Sequence, residues 1–256
     1  MYYKKLLAIL LFSTFTTPCL AALQLENLTI LAEPNMTTAL TKISRIYSQK
    51  NGIIISISFA PSSELINDIE EGEPSDVFIS AHRYWIDDLK HKGLVDIYNI
   101  GHIADDSLVL ATSKDNDRIP PELSQDLSLT KALEVLDANN TVLIVDHEGS
   151  SLGQYSDYLL NHLKLENLKI FKKLHEDKTS VSNMLKNNVG NYTLLLASQV
   201  KDNDDFIILS HLKNQHIFYQ ALVIAGDNMD NARKFLRFLK SKQAKKIFEE
   251  SGFIVE

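Results

Sequence analysis

Four short stretches place Ser, Asn or Gly just ahead of a helix-like pattern: Asn35-Met36-Thr37, Ser62-Ser63-Glu64, Gly149-Ser150-Ser151-Leu152-Gly153 and Ser180-Val181-Ser182. The first N–H groups of a helix have no partner inside it, and the helix dipole makes that end positive. Small hydroxyls and amides add donors there without adding formal charge. If several such ends converge, they form a site for a small anion that needs no cationic side chain.

The third stretch also fits G-x-S-x-G, the nucleophile elbow of hydrolases. Asp177, His211 and His216 follow in the order a triad would use. A serine hydrolase acting through Ser151 is therefore an alternative reading. Against it, the apolar run ends near Val145, and Ser151 comes well after the sharp strand-to-helix turn the motif needs. The histidines are scattered, and His147-Glu148 lacks the second His of a zinc-protease helix. The turns Lys114-Asp115-Asn116-Asp117 and Lys201-Asp202-Asn203-Asp204-Asp205 lack the Gly and Glu of a calcium loop. No catalytic residue and no cofactor is expected.

The elements that must position these groups alternate between strand and helix. Leu28–Ala32 reads as a strand, and Met36, Leu40, Ile43 and Tyr47 follow at helical spacing up to Asn51-Gly52. Ile53–Ala60 and Asp76–Ser80 read as strands, each followed by a helix closed by Gly72 or Gly93. Such a βα repeat implies a largely parallel sheet with covered faces. A second set runs through helix Leu129–Leu136, strand Val142–Val145, helix Leu152–Leu163, strand Leu168–Leu174, helix Val181–Asn188 and strand Thr193–Ala197. Strands at Ser107–Thr112 and Ala221–Ala225 are far apart in sequence and suit two crossings between two lobes. The expected division is residues 22–104 plus 218–256 for one lobe and 105–217 for the other.

Residues 1–21 read as a cleaved export segment. Lys4 and Lys5 precede an apolar run from Leu6 to Phe15, and Cys19 and Ala21 occupy the small-residue positions before the cut. Thr16-Thr17-Pro18 lacks the Leu that a lipoprotein signal would carry before Cys19. Cys19 is the only cysteine, so an exported chain would hold its fold without disulfides. Loss of Lys4 and Lys5 takes the formal charge from -7 to -9. An acidic surface disfavours nucleic acid and anionic membranes. It does not disfavour a small anion held by local dipoles.

Ser58-Phe59-Ala60-Pro61-Ser62-Ser63-Glu64-Leu65, Ile69-Glu70-Glu71-Gly72-Glu73-Pro74-Ser75-Asp76-Val77-Phe78-Ile79-Ser80-Ala81 and Trp85 resemble the periplasmic molybdate-binding protein family of ABC importers. Asp106-Ser107-Leu108-Val109-Leu110-Ala111 resembles its crossover strand. Ala244-Lys245-Lys246-Ile247-Phe248 with Gly252-Phe253 resembles its last helix. The resemblance implies an α/β, type II periplasmic-binding-protein fold of two lobes joined by two crossing strands. It further implies a monomeric, non-enzymatic periplasmic protein that hands molybdate or tungstate to importer membrane subunits. The metal would be bound only as its oxyanion.

In that family neutral groups hold the oxyanion. Asn35 takes the place of a Ser at the first helix start, and Ser62 matches a second Ser. Backbone N–H groups fall on Leu152, ahead of Gly153, and on Ser180. A Tyr hydroxyl is expected last, but an ungapped match places Ser198 there. Glu33 departs from the family pattern by bringing a carboxylate to the first loop. A binding protein of the same fold turned to a different small ligand is a further alternative.

Overall fold

The computed structural model describes residues 26–173, 181–187, 189–201, 203–212 and 216–255. The expected export segment, Asp177 and Ser180 lie outside them.

The first apolar run forms β1 (Asn27–Ala32), followed by a 310 turn (Pro34–Met36) and α1 (Thr37–Asn51). Gly52 ends α1 with φ 67°, a left-handed conformation that favours glycine. Next come β2 (Ile54–Phe59), α2 (Ser62–Glu70), β3 (Val77–Ser80), α3 (Arg83–His91) and the long β4 (Val95–Asp106). β1 pairs in parallel with both β2 and β3, as strands linked by crossover helices can.

One residue after β4 the chain enters β5 (Leu108–Ser113). It continues through α4 (Leu129–Ala138), β6 (Val142–Val145), α5 (Ser151–Asn161), β7 (Lys169–Lys172), α6 (Val181–Lys186), β8 (Tyr192–Leu196), α7 (Ala197–Val200) and β9 (Phe206–His211). β10 (Ile217–Ile224) returns the chain to the first sheet, and α8 (Met229–Leu239) and α9 (Lys242–Glu250) follow.

Two five-stranded sheets result, ordered β2-β1-β3-β10-β4 and β7-β6-β8-β5-β9. β10 lies antiparallel between β3 and β4, and β5 lies antiparallel between β8 and β9. Leu28, Ile30, Val77 and Ile79 fill the interior of the first lobe; Val109, Leu110, Leu143 and Leu194 do the same in the second. Full burial of each such side chain contributes about 1.5–3 kcal/mol. The architecture is the two-lobed α/β fold that the resemblance implies.

β4 and β9 were not expected from the sequence. Asp96, Tyr98, Asn99 and His102 interrupt the apolar pattern of β4, and the middle of that strand faces outward. Pairing with β10 makes it a strand. Ser198, expected at a strand end, lies in the short helix α7.

Candidate functional site

β1 delivers the chain to the gap between the lobes. Glu33 follows it in an extended conformation, and Pro34 then starts the 310 turn with its fixed φ. The Glu33 side chain points inward and is only 3% exposed. Its Oε1 accepts hydrogen bonds from Ser62 Oγ, from Ser80 Oγ at 3.0 Å and from Ser151 Oγ at 2.6 Å. Ser80 stands at the end of β3, where its Oγ also accepts from the His82 N–H at 2.8 Å. Burial pushes the Glu33 carboxyl above the usual range, against the opposing pull of these hydroxyls.

Ser62 and Ser151 are the first residues of α2 and α5. Pro61 precedes Ser62 in an extended conformation that leads into the helix. Ser150 caps α5 by accepting from the Gly153 N–H at 3.0 Å, and its hydroxyl donates to Asp146 Oδ2 at 2.9 Å. Gly153 is required here, because an added Cβ would lie 1.8 Å from the His147 carbonyl oxygen. The carboxylate of Glu33 thus sits at the positive ends of two helices, one from each lobe. Further bonds tie the lobes, among them Ser63 N–H to the Gly149 carbonyl at 3.3 Å, Tyr155 O–H to the Ala81 carbonyl at 3.4 Å and His82 Nε2 to the Glu148 carbonyl at 3.2 Å.

Asn35 lies in the 310 turn beside this point. Its Nδ2 donates to the Tyr219 hydroxyl at 2.8 Å and to Ser198 Oγ at 3.3 Å. Tyr219 is fully buried on β10, and burial drives its hydroxyl well above its ordinary pKa. The Ser198 N–H donates to Asp106 Oδ1 at 3.2 Å, and the Ser107 N–H donates to the same oxygen at 2.8 Å. Burial raises the Asp106 carboxyl to about 6.

A cavity of about 330 Å³ opens beside Glu33 and Asn35, lined also by Asp146, Leu152, Lys173 and Gln199 among others. It exceeds the volume of a single tetrahedral ion. Lys173 supplies positive charge at its wall, and Glu33, Glu64 and Asp146 supply negative charge.

Of the predicted set, Asn35 and Leu152 line this cavity; Ser62 is fully buried against Glu33, and Ser198 lines an adjoining opening that it shares with Asn35 and Gln199. Leu152, the second residue of α5, carries one of that helix's first N–H groups. Ser80 and Tyr219 also belong to the arrangement, and sequence reading missed both. Tyr219 puts a phenolic hydroxyl beside Asn35 from a strand far from Ser198 in sequence; the apolar run around Ala221 was the only signal that could have pointed to it. Ser151, the nucleophile of the hydrolase alternative, donates to Glu33, while His216 Nδ1 lies 3.1 Å from Asp105 Oδ2. His211 lies exposed on β9.

A sequence model described as "Bacterial extracellular solute-binding protein" matches residues 28–254. The molybdate-binding protein ModA of Escherichia coli is 24% identical over 234 residues, which cover 90% of each chain. ModA of Haemophilus influenzae is 26% identical over 238 residues, 89% of each. A solved structure of the tungstate ABC transporter from Geobacter sulfurreducens superposes with a TM-score of 0.70 at 15% identity, covering 88% of this chain and 98% of that one. The match across nearly all of the described residues shows that the chain belongs to the bacterial extracellular solute-binding protein family.

Proposed function

We propose that the protein captures a small tetrahedral oxyanion, molybdate or tungstate, between its lobes and delivers it to the membrane subunits of an ABC importer. It acts as a periplasmic monomer, after removal of residues 1–21, and performs no chemistry on its cargo. The single observation carrying this reading is the convergence of Ser62 and Ser151, first residues of helices from opposite lobes, on one acceptor oxygen. The names of the ModA relatives add the choice of anion.

An oxyanion offers acceptors only, so a wall of neutral donors selects it. The binding set is Asn35, Ser62, the backbone N–H groups of Leu152 and Ser180, and Ser198. Each hydrogen bond to a charged acceptor contributes about 1.5–3 kcal/mol. Several together reach the roughly 8 kcal/mol of micromolar binding after ordering costs are met.

A thermal-shift panel tests this reading. Molybdate, tungstate, sulfate and phosphate are each added in millimolar excess to the 22–256 protein. A ligand that binds only the folded state raises the melting temperature by mass action. Molybdate or tungstate should do so beyond a matched chloride control. No shift with any of the four would overturn the proposal.

A further inference from the structure

We infer that Glu33 is a tethered stand-in for the captured anion, a specificity-determining carboxylate that competes with any guest for the same hydroxyls. This rests on the oxyanion-capture reading above and names what controls that site.

The geometry of a single oxygen carries the inference. Glu33 Oε1 takes the protons of Ser62 and Ser80 from the first lobe and of Ser151 from the second. Ser62 is the hydroxyl that the family resemblance assigns to the oxyanion. Ser62 and Ser151 each open a helix long enough to present a dipole, nine residues in α2 and eleven in α5. A carboxylate oxygen and an oxyanion oxygen are chemically alike here, since both accept hydrogen bonds and carry negative charge. The partners named are neutral hydroxyls, so the carboxylate is held in the way a guest anion would be held.

Two consequences follow. The Ser151–Glu33 bond joins the lobes through the chain's own atoms, across 118 residues of sequence. A multivalent oxyanion must also displace the Glu33 carboxyl from these hydroxyls or stand beside it only once it is protonated, because burial already raises its pKa and a like charge would raise it further. Glu33 thus lowers the affinity for dianions and raises the standard a guest must meet.

Isothermal titration of molybdate and of tungstate at pH 7.5 tests the inference on the parent protein, Glu33→Ala and Glu33→Gln. Small-angle scattering of each ligand-free protein accompanies it. Glu33→Ala should bind at least one of the two anions at least tenfold more tightly than the parent. Its ligand-free radius of gyration should be larger, and should contract on addition of anion. Should the Ala variant fail to melt cooperatively, Glu33→Gln decides, because it keeps the shape and removes the charge; there the expected gain is threefold or more. A variant that binds no tighter than a parent that itself binds would overturn the inference and leave the capture reading standing. If neither parent nor variant bound either anion, both would fall.

Discussion

Asn35 Nδ2 donates to the Tyr219 hydroxyl at 2.8 Å, joining the turn after β1 to the returning strand β10. The contact fixes the amide of Asn35 at the edge of the cleft, and it lies inside a fully buried environment on the tyrosine side. Tyr219→Phe removes this acceptor and leaves the amide only its longer bond to Ser198 Oγ, at 3.3 Å. The expected loss is about 1 kcal/mol of stability. For a chain of this size that corresponds to a fall in melting temperature of about 2–4 °C. Scanning calorimetry of the two proteins checks it, and an unchanged melting temperature would mean that the contact contributes nothing net.

Ser62 serves both the resident carboxylate and, in the proposal, the guest. Ser62→Ala should weaken oxyanion binding by about tenfold or more, the equivalent of one charge-assisted hydrogen bond. The clearest background is Glu33→Ala, where no internal acceptor competes. Equal calorimetric affinity with and without Ser62 in that background would remove the residue from the site.

Asp106 gives the protein a pH dependence of definite sign. Its folded carboxyl titrates near 6, above the ordinary 3.8, because burial penalises the ionised form. A raised folded value means that its stabilising effect is complete below the unfolded value and is lost as pH rises through about 6. The loss is of order 3 kcal/mol at neutral pH. Asp106→Asn keeps an oxygen for the N–H groups of Ser107 and Ser198 and cannot ionise. Its melting temperature should therefore gain on the parent between pH 4.5 and pH 7.5. A difference that stays flat over that range would contradict the assignment.

Gly149 marks how closely the lobes approach. An added Cβ there would lie 2.3 Å from Ser63 Oγ and 3.1 Å from Ser63 Cβ, across the interface. Rotation of the hydroxyl relieves only the first of these contacts. Gly149→Ala makes Ser63 Oγ turn away and its Cβ give by a few tenths of an ångström, so the expected effect is a lower melting temperature. A melting temperature equal to the parent's would show that this approach tolerates the methyl group.

The parallel βα units were legible because their apolar periods are strong and their stops are glycines in left-handed turns, as at Gly52 and Gly93. Asn35, Ser62 and Leu152 could be placed because they sit at the starts of helices or helical turns, which sequence marks directly. β4 escaped because its polar middle follows solvent exposure and its pairing partner is distant in sequence. Tyr219 escaped for a related reason: only the return of β10 between β3 and β4 brings it to Asn35. The sequence showed Glu33 to be an unusual carboxylate in the first loop. Its inward direction depends on three hydroxyls contributed by separate elements, and that is a tertiary fact.

Tungstate is both a proposed cargo and a strong anomalous scatterer, so one crystal tests the central claim. Crystals of the 22–256 protein grown with tungstate, measured at the tungsten edge, should show one dominant anomalous peak in the cleft. Its oxygens should lie within about 3 Å of Ser62 Oγ and the Leu152 N–H, with the Glu33 carboxylate displaced. A peak elsewhere on the molecule, or an empty cleft at saturating tungstate, would contradict the account.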